Sequence, residues 1–145
     1  MTGFKALMLL VVVMTVAGGC GQQSDRSASG LPLTTRVDGL FTVDKAMVAG
    51  VAVDRVNEFQ ITVDAEHHGL RLVGPCSTLY GAMTLLDDQR AGVTLAGGTA
   101  RQCDEADSSA QVAMLDLLGR VNHWALDAEA LRFDAANGDS LTLLP

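Results

Sequence analysis

Apolar and polar positions divide the chain into regions of different rhythm. Ala6 to Ala17 is a nearly unbroken apolar run, interrupted only by Thr15. Beyond Leu31 the pattern shortens towards period two. "FTVDKAMVAG", "VAVDRV" and "EFQITVD" are rich in β-branched and aromatic residues, the composition of strands. In the third of these, Phe59, Ile61 and Val63 point one way and Gln60, Thr62 and Asp64 the other. "EHHG" reads as a turn, "LRLV" as a short strand, and Gly74-Pro75 punctuates it. "STLYGAMTLL" is a strand with Gly81 at a bulge. "DDQRAG" is a turn and "VTLAGG" a short strand, with Gly97-Gly98 as a turn.

After Cys103 the period lengthens. Ala110, Met114, Leu117, Leu118 and Val121 recur at offsets of four, seven, eight and eleven, one face of a helix. The spacing predicts a helix over about residues 107–121. Asp104, Glu105 and Asp107 crowd its start, where the helix dipole favours anions, with Asp107 or Ser108 as N-cap. Arg120 lies near its end, within i, i+4 reach of Asp116 on the solvent side. "HWAL", "ALRFD" and "SLTLL" then read as three strands, with "ANGD" carrying the Asn-Gly hairpin signal. The pattern predicts an α+β fold, mainly β: many antiparallel strands and one helix inserted late.

The N-terminal run changes the picture of where this domain works. Twelve residues of helix span about 18 Å, short of the roughly 30 Å hydrocarbon core. With Lys5 and the amino terminus ahead of it, the run reads as a secretory signal rather than a span. "VAGGC" puts small residues before Cys20 and resembles the lipobox of bacterial lipoproteins, with Ala17 where leucine is usual. That resemblance implies cleavage before Cys20 and lipid on its sulfur and amine. An ordinary cleaved signal with an incidental cysteine is the alternative. The following "GQQSDRSASG" is polar apart from Ala28 and reads as a tether. The expected organisation is a signal peptide over 1–19, a tether over 20–35 and a domain over 36–145. The expected location is the extracytoplasmic face of the cell membrane.

Charge and composition narrow the partners. From Cys20 onward there are nine Arg and Lys against seventeen Asp and Glu, a net charge near −8. Nucleic acid is not expected, because phosphate binding needs clustered cations. The balance also disfavours an anionic membrane surface, so contact with the membrane rests on the lipid. The scarcity of lysine and abundance of Ala, Val, Gly and Asp suggest a GC-rich bacterial genome.

With Cys20 set aside, Cys76 and Cys103 are left, and an exported domain allows them one intramolecular pairing. Closing that loop of about 28 residues would stabilise the fold by roughly 3–4 kcal/mol in the chain-entropy picture. Two buried free thiols are an alternative, as is a thiol nucleophile using Cys76 with His67, His68 or His123. Neither a zinc ligand set nor the spacing of a calcium loop is present.

The stretch from Phe59 to Pro145 resembles the META domain family, also called the HslJ-like family. Three landmarks carry the resemblance. "FQITVDAEHHGLRLVGPCSTLYGAMTL" is similar to the family's strand, glycine turn, "GCNxxxG" and strand, with Cys76 and Gly81 at the family positions. "TARQC" resembles the "TxxxC" ahead of the helix, with Thr99 and Cys103. "ALDAEALRFDAANGDSLTLL" matches the closing hairpins. Ser77 replaces the usual asparagine, and Phe41 stands near where a tryptophan commonly opens the domain. The resemblance implies a compact antiparallel β-barrel-like domain with one helix. It also implies a protein that is often exported or lipid-anchored, with some members linked to envelope stress or antibiotic tolerance.

No catalytic constellation accompanies these features. There is no GxSxG, no HExxH and no phosphate loop in a strand-to-helix setting. Asp87-Asp88 is most simply a solvated turn, and adjacent His67 and His68 on a strand would face opposite ways. No enzyme activity, metal or cofactor is expected. The expectation is a monomeric binding or accessory module at the cell surface, meeting an envelope protein or a small ligand. A protease-inhibiting or structural envelope protein is the alternative. Tyr80 and Trp124 are the large amphipathic side chains to watch, with core packing the simpler role. An apolar patch beside Trp124 would favour ligand binding, and a protruding rigid loop between Cys76 and Cys103 would favour protease inhibition.

Overall fold

The computed structural model describes residues 37–145 except Glu129. Cys20, the signal-like run and the tether therefore lie outside the described residues. Nine strands form one antiparallel sheet: β1 Gly39–Val48, β2 Val51–Ala52, β3 Gln60–Asp64, β4 Gly69–Val73, β5 Ser77–Leu85, β6 Ala91–Ala100, β7 Val121–Asp127, β8 Ala130–Ala135 and β9 Ser140–Leu144. Their order is β6-β5-β4-β3-β1-β9-β8-β7, with β2 paired to β1 alone. The sheet curls into a half-barrel. Helix α1, Glu105–Arg120, connects β6 to β7, the two strands at the ends of that order.

Period-two alternation fills the interior. Ile61 and Val63 of β3, Leu70 and Leu72 of β4, Leu131 and Phe133 of β8, and Leu141 and Leu143 of β9 are all buried. Where the alternation breaks, the ladder has an extra residue. Val43 pairs with Leu143 but Lys45 with Thr142, leaving Asp44 as a bulge. The inward set of β1 thereby passes from Phe41 and Val43 to Ala46. The same device at Asn122 in β7 lets both Val121 and Trp124 face inward.

The helix supplies the missing wall. Ala110, Met114, Leu117 and Leu118 of its apolar face are buried, and Val121 just beyond it is buried too. Val121 is already the first residue of β7 and caps the helix through its N–H to the Leu118 carbonyl. The start also differs from expectation. The N-cap is Asp104, not Asp107 or Ser108, and its carboxylate accepts the Asp107 N–H at 2.8 Å. Glu105 and Asp107 thus fall inside the first turn, where the helix dipole favours anions.

Two other segments depart from the pattern. "VAVDRV" is strand only at Val51–Ala52, then turns into a single 3-10 turn at Val56–Glu58. Gly97 and Gly98 are not a turn but lie inside β6. A methyl group on Gly98 would run into the Thr78 carbonyl of β5, and one on Gly81 into the Thr94 carbonyl. The glycines therefore let the β5 and β6 backbones approach closely around a bulge, where Tyr80 pairs with Gly97 and Gly81 with Leu95.

Candidate functional site

The residues singled out by the sequence do not converge on one site. Cys76 and Cys103 are joined as a disulfide, with Cα atoms 5.2 Å apart. It ties the loop ahead of β5 to the residue before the helix cap. Neither sulfur is a thiol in this structure, so the Cys–His nucleophile has no thiolate to use. Arg101 reinforces the tie: its guanidinium donates to the carbonyls of Gly74 and Pro75. Beneath that loop Gln111 is buried against Gly74, with neither side-chain amide atom hydrogen bonded among the described residues.

The three histidines occupy different places. His67 is exposed in the β3–β4 turn, its Nδ1 2.9 Å from Asp64. That contact raises the His67 pKa, and the His67 backbone N–H leads the causes holding Asp64 below the usual carboxylate range. His68 lines a small cavity of about 90 Å³ with Val37, Met83 and Asp87. His123 lies on β7, 3.9 Å from Asp134. Asp88 pairs with Arg90 at 2.6 Å. Among the described residues no three His, Cys, Asp or Glu side chains gather as a metal site would require.

The two large aromatic residues separate. Trp124 is 3% exposed, and its indole Nε1–H donates to the Leu86 carbonyl at 2.9 Å. Its backbone N–H donates to the Gln89 carbonyl at 2.8 Å. Trp124 therefore fastens β7 to the β5–β6 turn and closes one end of the seam between β6 and β7, the two strands that end the sheet order. Tyr80 is half exposed on the outer face of β5. The segment between Cys76 and Cys103 is the β5–β6 hairpin, integrated in the sheet. It is not a protruding loop.

Concave apolar surface lies elsewhere, between the β1–β2 hairpin and helix α1. Val48, Val51, Ala52 and Val53 form one wall, and Ala106, Ser109, Ala110 and Ala113 the other, around a groove of about 280 Å³. The helical residues recur at i, i+3, i+4 and i+7, one stripe of small side chains. Asp54, an exposed residue, is the one charged residue among the described residues that line the groove. The neighbouring Arg55 is paired with Asp104 and Asp107 at the helix start.

The hairpin wall is set by a residue far away in sequence. Ala49 and Gly50 both take positive φ, 51° and 78°, the conformation of a two-residue hairpin turn. The strained Ala49 is fixed by its N–H, which donates to Asp139 Oδ1 at 2.7 Å. Asp139 is 1% exposed. Its other oxygen accepts from Arg120 at 2.7 Å and Asn137 at 2.9 Å. These donors, led by the Ala49 N–H, hold the Asp139 pKa below the usual carboxylate range. One buried carboxylate thus joins three elements: the hairpin tip, the helix end and the β8–β9 turn.

A curled antiparallel half-barrel whose two end strands are bridged by a single helix defines a class of small, mainly β domains. Within that class the chain belongs to the META domain family, whose model matches residues 35–145. Two solved structures share the fold. A protein from Burkholderia xenovorans, determined by NMR, is 20% identical with a TM-score of 0.59, covering 76% of this chain and 83% of its own. The crystal structure of a duf4847 family protein from Bacteroides vulgatus is 12% identical with a TM-score of 0.58, covering 74% and 92%. No curated protein matches the chain at a significant level.

Proposed function

We propose that the protein is a lipid-anchored envelope protein whose META domain serves as a non-catalytic binding or accessory module outside the cytoplasm. The observation that carries this reading is "VAGGC" after a short apolar run and before a polar tether. A cysteine so placed suits lipidation, and the tether gives the domain reach from the membrane surface. The disulfide between Cys76 and Cys103 suits an oxidising compartment. The groove between hairpin and helix suits binding. On this reading the protein is an HslJ-like member from a GC-rich bacterium, with a role in envelope stress or antibiotic tolerance.

Anchoring is tested by expressing the full-length chain in a bacterial host and partitioning it with detergent. Wild type is expected in the detergent phase, and Cys20→Ala is expected to remain unprocessed or to become soluble. A wild-type protein recovered as an unmodified, soluble species would overturn the proposal.

A further inference from the structure

The groove beside α1 has a chemistry of its own. Seven of its nine lining residues are Val or Ala, and the remaining two are Ser109 and Asp54. Its volume of about 280 Å³ is far above the ~10–15 Å³ that a single water requires. That is room for a short apolar chain. Val51 on its lip is 68% exposed, so the apolar wall continues to the surface.

The charge lining the groove selects among apolar ligands. Asp54 forms no ion pair among the described residues. Arg55, the nearest cation in sequence, is held by Asp104 and Asp107, and among the described residues no Lys or Arg lines the groove. The chain as a whole is strongly acidic, which raises the local concentration of cations and repels anions. An anionic amphiphile would meet that field and the bare carboxylate together. A cationic one would place its head beside Asp54 while its tail covers Val48, Val53 and Ala110.

We infer that this groove binds small amphiphilic cations: a short apolar chain bearing one positive charge. The inference rests on the binding-module part of the proposed function and is independent of the lipid anchor. It is tested on the folded domain by following backbone amide shifts during titration with octyltrimethylammonium, octyl glucoside and octyl sulfate, each below its micelle concentration. Shifts are expected at residues 48–54 and 106–113, with affinity falling from the cation to the neutral chain to the anion. Asp54→Asn should weaken the cation about two- to fivefold, the range of an exposed ion pair, and leave the glucoside unchanged. Ser109→Lys, at an exposed helical position, should reverse the order of cation and anion. Should either variant fail to fold, the other and the wild-type ranking still decide.

Equal affinity for cation and anion, shifts confined to another face, or an Asp54→Asn domain with undiminished cation binding would each overturn the inference. Those results would leave the detergent-partition test of anchoring untouched. A domain that binds none of the three probes while full-length protein is anchored would refute the ligand class alone.

Discussion

The two ends of helix α1 carry the same kinds of charge and hold the fold in different ways. At the start, Asp104 caps the helix and Arg55 bridges Asp104 and Asp107, with the Arg55 side chain 43% exposed and those two carboxylates 60% and 17% exposed. Water screens such pairs, and their contribution is small. At the end, Arg120 meets Asp139, whose side chain is 1% exposed. There the alternative to the pair is a buried carboxylate with missing donors, which is far more costly. The start depends on the Cys76–Cys103 bond for what its ion pairs do not give. The end needs no covalent tie, because Leu117, Leu118 and Val121 bury beside it.

The largest expected effect comes from the packed end. Leu118 is fully buried, and Leu118→Ala is expected to cost roughly 2–5 kcal/mol by leaving a cavity. Comparison with Asp116→Ala in a denaturant melt checks it. Asp116 pairs with Arg120 at 2.7 Å on the exposed side, and an i, i+4 pair of this kind contributes only about 0.3 kcal/mol. Equal losses in the two variants would mean that the helix is not docked in the seam.

A smaller effect follows from the buried carboxylate. Because the folded-state pKa of Asp139 is lowered, its contribution to stability is present above the ordinary carboxylate pKa of about 3.9. That contribution is lost as pH falls through the lowered folded-state value. Asp139→Asn should therefore lower stability at neutral pH and flatten the acid limb of the stability curve. Urea melts of both proteins from neutral pH downward check it. Parallel acid limbs would show that Asp139 does not link the hairpin to the helix in the way the hydrogen bonds imply.

The same contrast marks what could be read from sequence. The helix was legible because Ala110, Met114, Leu117 and Leu118 repeat locally, and β3 because Phe59 to Asp64 alternates locally. The cap is not legible because "DEADSS" offers several capping side chains, of which Asp104 takes the position. Gly97 and Gly98 resembled a turn because glycine serves both turns and close backbone approach. At Gly98 the facing carbonyl of Thr78 distinguishes the two. Asp139 was not legible as a hub at all. It looked like part of a hairpin turn, and its partners Ala49 and Arg120 lie 90 and 19 residues away. The groove was missed for a related reason. Ala106, Ser109, Ala110 and Ala113 are unremarkable on a helix until the β1–β2 hairpin is placed opposite them.

Native-state hydrogen exchange along α1 tests most directly the claim that the helix is held in the seam from its buried end. The amide opening free energies are expected to rise from Ser108 in the first turn to Leu118 in the last, with Met114, Leu117 and Leu118 exchanging only through global unfolding. Reducing the Cys76–Cys103 bond should steepen that gradient by loosening the first turn. A flat profile, or one that falls towards Leu118, would contradict the account.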